Sequence, residues 1–287
     1  MTIEPLSDLL IAPVVRAALA EDLGRAGDVT AQACIAADAR LSAVFATRRA
    51  GVVSGLACVR LAVLELDPGA EVRLLAADGD AVGAGAKLAW VEANARALLS
   101  AERTALNLIG RLSGIATLTR AYVDAVAGTK ARIVDTRKTT PGLRALEKYA
   151  VRCGGGVNHR FGLDDAILIK DNHVAACGSV GEAVRRAKAA AGHLMKVEVE
   201  VDSLDQLDEA LAQGNSGAPD VVMLDNFSPD DLREAVRRTA GRVVLEASGG
   251  ITLETVRAVA ETGVDVISVG ALTHSASVLD IGLDAAP

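Results

Sequence analysis

From residue 130 onward the chain alternates short apolar runs with longer amphipathic segments, and this pattern restricts the folds open to it. The apolar runs are RIVDTRK, AILIKDN, KVEVEVD, DVVMLDN, RVVLEAS and VDVISVG, and most are separated by segments of helical length. Strands that alternate with helices predict a parallel sheet, because a helix must carry the chain back between parallel strands. The runs are apolar throughout, as burial of a sheet on both faces requires.

Two architectures fit this alternation, a closed βα barrel and an open doubly wound sheet. No G-x-G-x-x-G motif follows an early strand, which disfavours a dinucleotide-binding sheet and favours the barrel. Several helix starts are also encoded locally. Ser203 with Gln206 fits a capping box, and Ser228 before Pro229 fits an N-cap followed by proline at the first helical position.

The first third of the chain lacks this repeat. A helix is predicted over about residues 8–21, followed by short strands with Gly and Asp at their turns, and a long helix begins near Ala97. We therefore expect an α+β domain over residues 1–115 and an α/β barrel domain over residues 116–273. The apolar segment 274–287 is expected to rejoin the first domain.

Composition disfavours several classes of function. The net charge of −7 gives no general attraction to nucleic acid or anionic membranes, and 2% aromatic residues are too few for a base-stacking surface. The four cysteines lack a C-x-x-C pair, which favours reduced thiols over a metal site or disulfides. The first residues do not resemble a signal peptide, and no apolar stretch reaches membrane-spanning length. We therefore expect a cytoplasmic protein.

In a βα barrel the functional site forms at the carboxyl ends of the strands. The residues at these ends are, in chain order, Arg137 and Lys138, Lys170 and Asp171, Glu200, Asp225, Ser248-Gly249-Gly250, and Gly270. A single charged residue after a strand is most often a solvated turn residue. Charges or glycines after every strand favour a common site, because desolvated charges at a barrel rim lower stability unless they are paired.

Residues 132–173 are locally basic in an acidic chain, with eight Lys or Arg against five Asp or Glu. This excess favours a small ligand with several negative charges. Arg137 and Arg160 suit planar carboxylates, because guanidinium groups form bidentate hydrogen bonds with them.

Other features of the same segment have ordinary structural interpretations. Arg144, Lys148 and Arg152 are interpreted as members of a salt-bridged surface helix and are left out of the site. The three glycines at 154–156 either cradle a ligand or permit a sharp turn, and the residues alone leave both open.

The last barrel strands predict a phosphate site. Ser248-Gly249-Gly250 precedes a helix expected to begin near Thr252, so that its amide groups face a phosphate, and Gly270 supplies the second half. Glu200 and Asp225 end neighbouring strands. They can hold Mg²⁺ together with a substrate pyrophosphate, or accept hydrogen bonds from a ribose and stabilise positive charge that develops on it.

The segment DTRKTTPGLRALEKYAVRCGGGVNHRFGLDDAILIKDNH resembles the signature block of the quinolinate phosphoribosyltransferases. The segments EDLGRAGDVT, ERTALNLIGRLSGIAT, KVEVEV, VVMLDNFSP and LEASGGI match that family in the same order, so the resemblance covers nearly the whole chain. A related group of molybdenum-transport-associated proteins, acting on a different acceptor, shares the DTRKT-PG opening, whereas NHR and KDNH favour the quinolinate enzymes. AQGNSGAPD is longer than the family's usual turn, but it precedes a strand, away from the catalytic ends.

The resemblance implies an enzyme that joins quinolinate to phosphoribosyl pyrophosphate with loss of CO2, giving nicotinate mononucleotide. It implies an N-terminal open sandwich, an incomplete seven-stranded α/β barrel, Mg²⁺ as cofactor and a homodimer with sites at the interface. By the same resemblance quinolinate is bound by Arg103 of the neighbouring subunit together with Arg137, His159, Arg160 and Lys170.

The remaining roles follow from the same match. Phosphoribosyl pyrophosphate is expected to contact Lys138, with Thr136 also among the substrate-binding residues, while Glu200 and Asp225 hold the ribose and, indirectly, the Mg²⁺–pyrophosphate. The 5-phosphate is assigned to Ser248, Gly249, Gly250 and Gly270. The expected catalytic residues are Lys138, Lys170, Glu200 and Asp225, and one of the two lysines is expected to protonate the ring after decarboxylation.

The residues taken alone leave two other classes open. A catalytically inert βα scaffold would require the charges at the strand ends to pair among themselves. A sugar-phosphate isomerase or aldolase barrel would explain the phosphate loop, but it would leave the arginine cluster without a role.

Overall fold

The structure is a computed structural model that describes residues 3–286, apart from the side chains of residues 215 and 216. The helices are α1 Asp8–Leu23, α2 Val29–Cys34, α3 Leu56–Leu66, α4 Ala95–Ala125, α5 Arg144–Cys153, α6 Asp171–Cys177, α7 Val180–Ala190, α8 Leu204–Leu211, α9 Gly214–Gly217, α10 Pro229–Thr239, α11 Val256–Ala260 and α12 Ala271–His274. The strands are β1 Arg40–Thr47, β2 Gly51–Val52, β3 Glu71–Leu74, β4 Ala81–Val82, β5 Lys87–Asn94, β6 Arg132–Val134, β7 Ile167–Ile169, β8 Val197–Val201, β9 Val221–Asp225, β10 Val244–Ser248, β11 Val266–Ser268 and β12 Ile281–Ala285.

The first of two compact units contains the residues up to Arg120, Thr139–Gly155, and the residues from Ala271 onward. Its main sheet has the order β12-β1-β5-β3 and is antiparallel, which agrees with the short alternating strands predicted for the first third of the chain. The C-terminal strand β12 pairs with β1, so the chain end lies on the edge of this sheet. Large apolar side chains such as Phe45 and Leu88 are fully buried in this unit.

The second unit contains Ala121–Lys138 and Gly156–Gly270. All six predicted strands form one parallel sheet, in the order β6-β11-β10-β9-β8-β7. This order is cyclic in sequence, with β6 and β7 at its two ends, and Val134 of β6 also forms a parallel bridge with Val157. The fold class is therefore mixed α/β, whereas the seven-stranded barrel, the open sandwich and the exact domain limits remain predictions.

Two predicted helix starts in the second unit agree with the structure, although the Gln206 side chain accepts from the Asp202 amide at 2.9 Å rather than from Ser203. The Ser203 hydroxyl accepts a hydrogen bond from the Gln206 amide, and the Ser228 hydroxyl accepts one from the Asp231 amide. The segment AQGNSGAPD includes the short helix α9 and lies before β9, at the amino end of that strand, as expected.

The interpretation of α5 as a surface helix is wrong at Lys148, whereas Arg152 is exposed as expected and Arg144 is half-buried. Glu147 is fully buried and forms an ion pair with Arg111 at 2.9 Å, and Lys148 is also buried. Gly154 ends this helix where a β-carbon would lie 2.5 Å from the Ala116 carbonyl oxygen. This glycine therefore permits close packing on α4, which supports the structural interpretation of the glycine run over a ligand cradle.

Candidate functional site

The charged residues predicted at the strand ends share one edge and one face of the parallel sheet. Glu200, Met223 and Glu246 are register partners across β8, β9 and β10. Two residues closer to the carboxyl ends, Asp225 is the register partner of Ser248. Side chains of paired residues in a parallel sheet point to the same face, and the face repeats every second residue. Glu200, Glu246, Asp225 and Ser248 therefore all point to the same side.

Three predicted site residues at this edge have defined partners. The ammonium group of Lys170 forms an ion pair with Glu200. The backbone N–H of Lys170 donates to Nδ1 of His173 at 2.9 Å, which places the proton of a neutral His173 on Nε2. The carboxylate of Asp225 accepts a hydrogen bond from the side-chain amide of Asn226 at 2.7 Å. The strand ends thus present two carboxylates, one of which is paired with a lysine.

The segment that carries His159 is anchored by a carboxylate that the sequence did not single out. Asp135, directly after β6, is fully buried. It accepts hydrogen bonds from the His159 amide at 2.9 Å and from the Asn158 side chain at 2.6 Å. Asp135 thereby fixes the loop from which His159 and Arg160 extend.

Arg160 and Arg137 are close enough to repel each other. Burial lowers the pKa of Arg160 from its ordinary value, and the positive charge of Arg137 lowers it further, while Glu198 and Asp165 oppose the change. One Arg160 N–H donates to the Ala166 carbonyl at 3.1 Å. Two like charges are brought together here at a cost in stability, which a bound anion would offset. This electrostatic signature is expected of a site for a ligand with more than one negative charge.

His159 also reaches two buried glutamates. Its Nε2 lies 2.9 Å from Oε2 of Glu198 and 3.7 Å from Oε2 of Glu246. Burial raises the pKa of Glu246 to about 7, and the adjacent carboxylate of Glu198 contributes to the rise. The sequence reasoning missed both glutamates, although the V-E-V-E-V pattern of β8 places Glu198 on the same face as Glu200.

The predicted phosphate loop retains its glycines but differs in its helix. Gly249 has φ +95°, and a β-carbon there would lie 2.2 Å from Oδ1 of Asn226, so only glycine fits. The helix α11 begins at Val256, four residues later than expected, because a turn over residues 253–255 comes first; the Thr252 carbonyl accepts a hydrogen bond from the Val256 amide at 2.9 Å. The groups that could donate hydrogen bonds to a phosphate are therefore the backbone amides of a left-handed glycine loop, rather than those of a helix N-terminus.

A cavity of about 340 Å³ adjoins this loop, and Ser248, Gly249 and Gly250 contribute to its lining. A larger cavity, of about 540 Å³, is lined by residues such as Lys196, Asp220 and Val244. These residues lie at the amino ends of the strands, so the larger cavity is not part of the candidate site.

The other predicted residues have less specific surroundings. Thr136 accepts a hydrogen bond from the Lys138 amide at 3.1 Å and thereby shapes the turn after β6. Lys138 is exposed, and Gly270 is the last residue of the second unit. Arg103 lies on the exposed side of α4 in the first unit, so its role across a subunit interface remains a prediction.

Comparison with known sequences gives the family. Residues 28–113 match the N-terminal domain of quinolinate phosphoribosyl transferase, and residues 115–284 match its C-terminal domain. The chain belongs to the quinolinate phosphoribosyl transferase family. The resemblance drawn from the sequence motifs is thereby confirmed.

Individual relatives match this family member over nearly their full length. A nicotinate-nucleotide pyrophosphorylase (carboxylating) of Mycobacterium leprae is 52% identical over 94% of this chain and 95% of its own. A probable enzyme of the same name from Bacillus subtilis is 49% identical over 92% and 89%. The solved structure of the nicotinate-nucleotide pyrophosphorylase from Francisella tularensis superposes with a TM-score of 0.92 at 41% identity, covering 100% of this chain and 99% of that one.

Among the described residues, no helix has the length and apolar character needed to cross a membrane.

Proposed function

We propose that this protein transfers the phosphoribosyl group of phosphoribosyl pyrophosphate to quinolinate, with loss of CO2, to give nicotinate mononucleotide and pyrophosphate. The observation that carries the proposal is the Arg137–Arg160 pair beside His159, a concentration of positive charge in an acidic chain. Full-length relatives named for this activity support it.

Quinolinate carries two adjacent carboxylates on a pyridine ring, and we assign them to Arg137, His159, Arg160 and Lys170. Guanidinium groups bind planar carboxylates in a bidentate manner and so hold the ring nitrogen in a fixed direction. Fixing both reactants in line can lower the barrier by roughly 7–11 kcal/mol.

We assign the ribose of phosphoribosyl pyrophosphate to Glu200 and Asp225, which share one face of the sheet. Their negative charges stabilise the positive charge that develops on C1 as its bond to pyrophosphate breaks. Lys138 and Thr136 are assigned to the pyrophosphate side, and the loop at Ser248, Gly249 and Gly250, with Gly270, to the 5-phosphate.

The donor set suits Mg²⁺, because Glu200 and Asp225 offer only hard carboxylate oxygens. We propose that these two residues hold the ion indirectly, through water and the substrate pyrophosphate. When bound, Mg²⁺ would neutralise charge on the leaving pyrophosphate.

After the pyridine nitrogen has bonded to C1, it carries a positive charge and withdraws electrons from the ring. The bond between the ring and the adjacent carboxylate then breaks, the electron pair stays on the ring carbon, and CO2 leaves. A proton must be added to that carbon. We propose Lys170 or Lys138 as its donor, and Lys170 is held near the sheet edge by its ion pair with Glu200.

The assay is steady-state turnover of quinolinate and phosphoribosyl pyrophosphate with Mg²⁺, following nicotinate mononucleotide and CO2. Nicotinate lacks one carboxylate and should have kcat/KM lower by about 100-fold, since it loses a charge-assisted interaction. Equal turnover of nicotinate would reject the dicarboxylate site, and no turnover of quinolinate would reject the proposed function.

We also propose the cytoplasm as location, an incomplete barrel for the second unit, and a homodimer in which Arg103 acts in the neighbouring subunit's site. Arg103→Ala and Lys138→Ala homodimers should each be inactive. Because a mixed dimer would contain one intact site, mixing the two after subunit exchange should restore roughly a quarter of wild-type activity. If the mixture stays inactive although exchange is verified, Arg103 acts within its own subunit.

A further inference from the structure

Three titratable side chains from separate segments of the second unit meet around His159, one of the predicted substrate-binding residues. His159 extends from the loop after the Val157 bridge, Glu198 from β8 and Glu246 from β10. The side chains of Glu198 and Glu246 are 9% and 4% exposed, and that of His159 is 12% exposed. We call these three residues the His159 cluster.

The hydrogen bonds within this cluster leave negative charge without a donor. Oε2 of Glu198 contacts His159, whereas Oε1 of Glu198 and Oε1 of Glu246 are buried and have no hydrogen-bond partner among the described residues. The buried carboxylate of Asp135 accepts a hydrogen bond from the His159 amide and is near enough to Glu246 to raise the pKa of that carboxyl. Buried carboxylates without donors are costly, so the cluster must contain a proton or a cation.

We infer that Glu198 and Glu246 are positioning residues that hold His159 as an imidazolium ion in a fixed orientation. This cation joins Arg137 and Arg160 in binding the acidic substrate. The identity of that substrate rests on the proposed function, whereas the charge on His159 does not.

The two glutamates have different parts in this arrangement. Glu198, at 2.9 Å, is the ion-pair partner that accepts the Nε2 proton. Glu246, at 3.7 Å, lies too far for a direct hydrogen bond, and burial raises its pKa to about 7. Above about pH 7, ionised Glu246 therefore adds a second, weaker attraction that retains the imidazole proton.

The charged groups that face His159 come from each neighbouring element. They are Glu198 on β8, Glu246 on β10, Asp135 after β6, and Arg160 with its neighbour Arg137 on the cationic side. The two arginines favour loss of the imidazole proton and the carboxylates favour its retention. Because Glu198 is in direct contact, the carboxylates dominate.

Nitrogen-15 NMR of the imidazole rings tests the charge directly. The chain has four histidines, so His159→Gln identifies the His159 signals. In the wild type we expect His159 to keep both ring protons above pH 7.5, beyond the ordinary midpoint of about 6.5. Glu198→Gln should lower the midpoint by about one unit or more, and Glu246→Gln should lower it less. Glu182→Gln, at a surface helix of the same unit, should leave it unchanged.

Quinolinate binding measured calorimetrically between pH 6 and 9 supplies the second readout. Wild-type affinity should fall above the His159 midpoint. In Glu198→Gln this fall should move to lower pH, with affinity about tenfold weaker at pH 8 and nearly normal at pH 6. A purely structural role for Glu198 would weaken binding equally at every pH.

A wild-type His159 that is neutral at pH 6.5 would overturn the inference, as would a tightly bound metal ion found by elemental analysis of the purified protein. If Glu198→Gln fails to fold, the Glu246→Gln titration alone decides, because an unchanged midpoint there would contradict the part assigned to Glu246. An imidazolium at pH 7.5 in a protein that does not bind quinolinate would reject the proposed function and leave the inference standing.

Discussion

The two edges of the parallel sheet both carry charged residues, but these residues differ in how fully their hydrogen-bond partners compensate them. At the amino edge Asp220 accepts from Lys188, Lys196 and the Val197 amide, all at 2.9 to 3.0 Å. Burial alone would raise the pKa of Asp220, but the amide and the two lysines lower it to about 2. At the carboxyl edge, burial and the charge of Glu198 raise the pKa of Glu246 to about 7, although His159 and a hydrogen bond from the Ser268 side chain oppose the rise.

This difference shows which charges mark a site. The amino-edge carboxylate is satisfied within the protein and contributes to folding. Nearer the carboxyl edge two arginines repel each other, and Glu246 together with Glu198, the second residue of β8, each keep one carboxylate oxygen without a donor. Buried carboxylate oxygens without a donor are costly in a folded protein, so their presence favours a ligand or a bound proton nearby.

The largest expected effect separates two lysines on opposite edges. Lys138→Ala, at the carboxyl edge, should lower kcat/KM by at least about 100-fold, since it removes a cation assigned to the pyrophosphate. Lys196→Ala, at the amino edge, should stay within about twofold of the wild type. Thermal unfolding of both variants checks the fold. Near wild-type turnover of Lys138→Ala would remove the functional contrast between the edges.

A smaller effect compares two glycines with positive φ. A β-carbon at Gly249 would meet Asn226 at 2.2 Å, whereas one at Gly263, near the amino edge, would lie 3.5 Å from Val236. Both alanine variants should lose about 1–2 kcal/mol of stability from the backbone conformation. Only Gly249→Ala should also raise the KM for phosphoribosyl pyrophosphate, by about tenfold. An equal KM in the two variants would separate this loop from the phosphate site.

The smallest effect concerns stability against pH. Folded Glu246 binds its proton more tightly than the unfolded chain, so ionising it destabilises the fold as pH rises from about 4.5 to about 7. Urea unfolding should therefore show that the free energy of unfolding of Glu246→Gln, relative to that of the wild type, rises by about 1 kcal/mol or more between pH 5 and pH 8.

At the amino edge, the dependence of stability on pH should have the opposite sign. The pKa of Asp220 is lowered, so its contribution is present above about 3.8 and is lost as pH falls towards 2. Asp220→Asn should consequently be less stable than the wild type at pH 7, and the difference should shrink in acid. A Glu246→Gln variant that also loses stability at pH 8 would show that the two edges do not differ in this way.

The sequence by itself determined most of the strands and helices and predicted the edge at which the candidate site lies. The six strands, the serine caps at Ser203 and Ser228 and the basic block follow from local pattern, because period, capping and turn chemistry act over a few residues. The motif around Arg137 and Arg160 was sufficient to indicate the family.

Only the tertiary structure decided which charges are neutralised. Lys148 reads as a surface residue in the sequence but is buried, and the helix expected to begin near Thr252 begins at Val256. The contacts of His159 with Glu198 and Glu246 join residues far apart in the chain, and their energies depend on burial that no local pattern encodes. Desolvation and long-range pairing arise only when the strands are assembled, so the state of the site is a property of the fold.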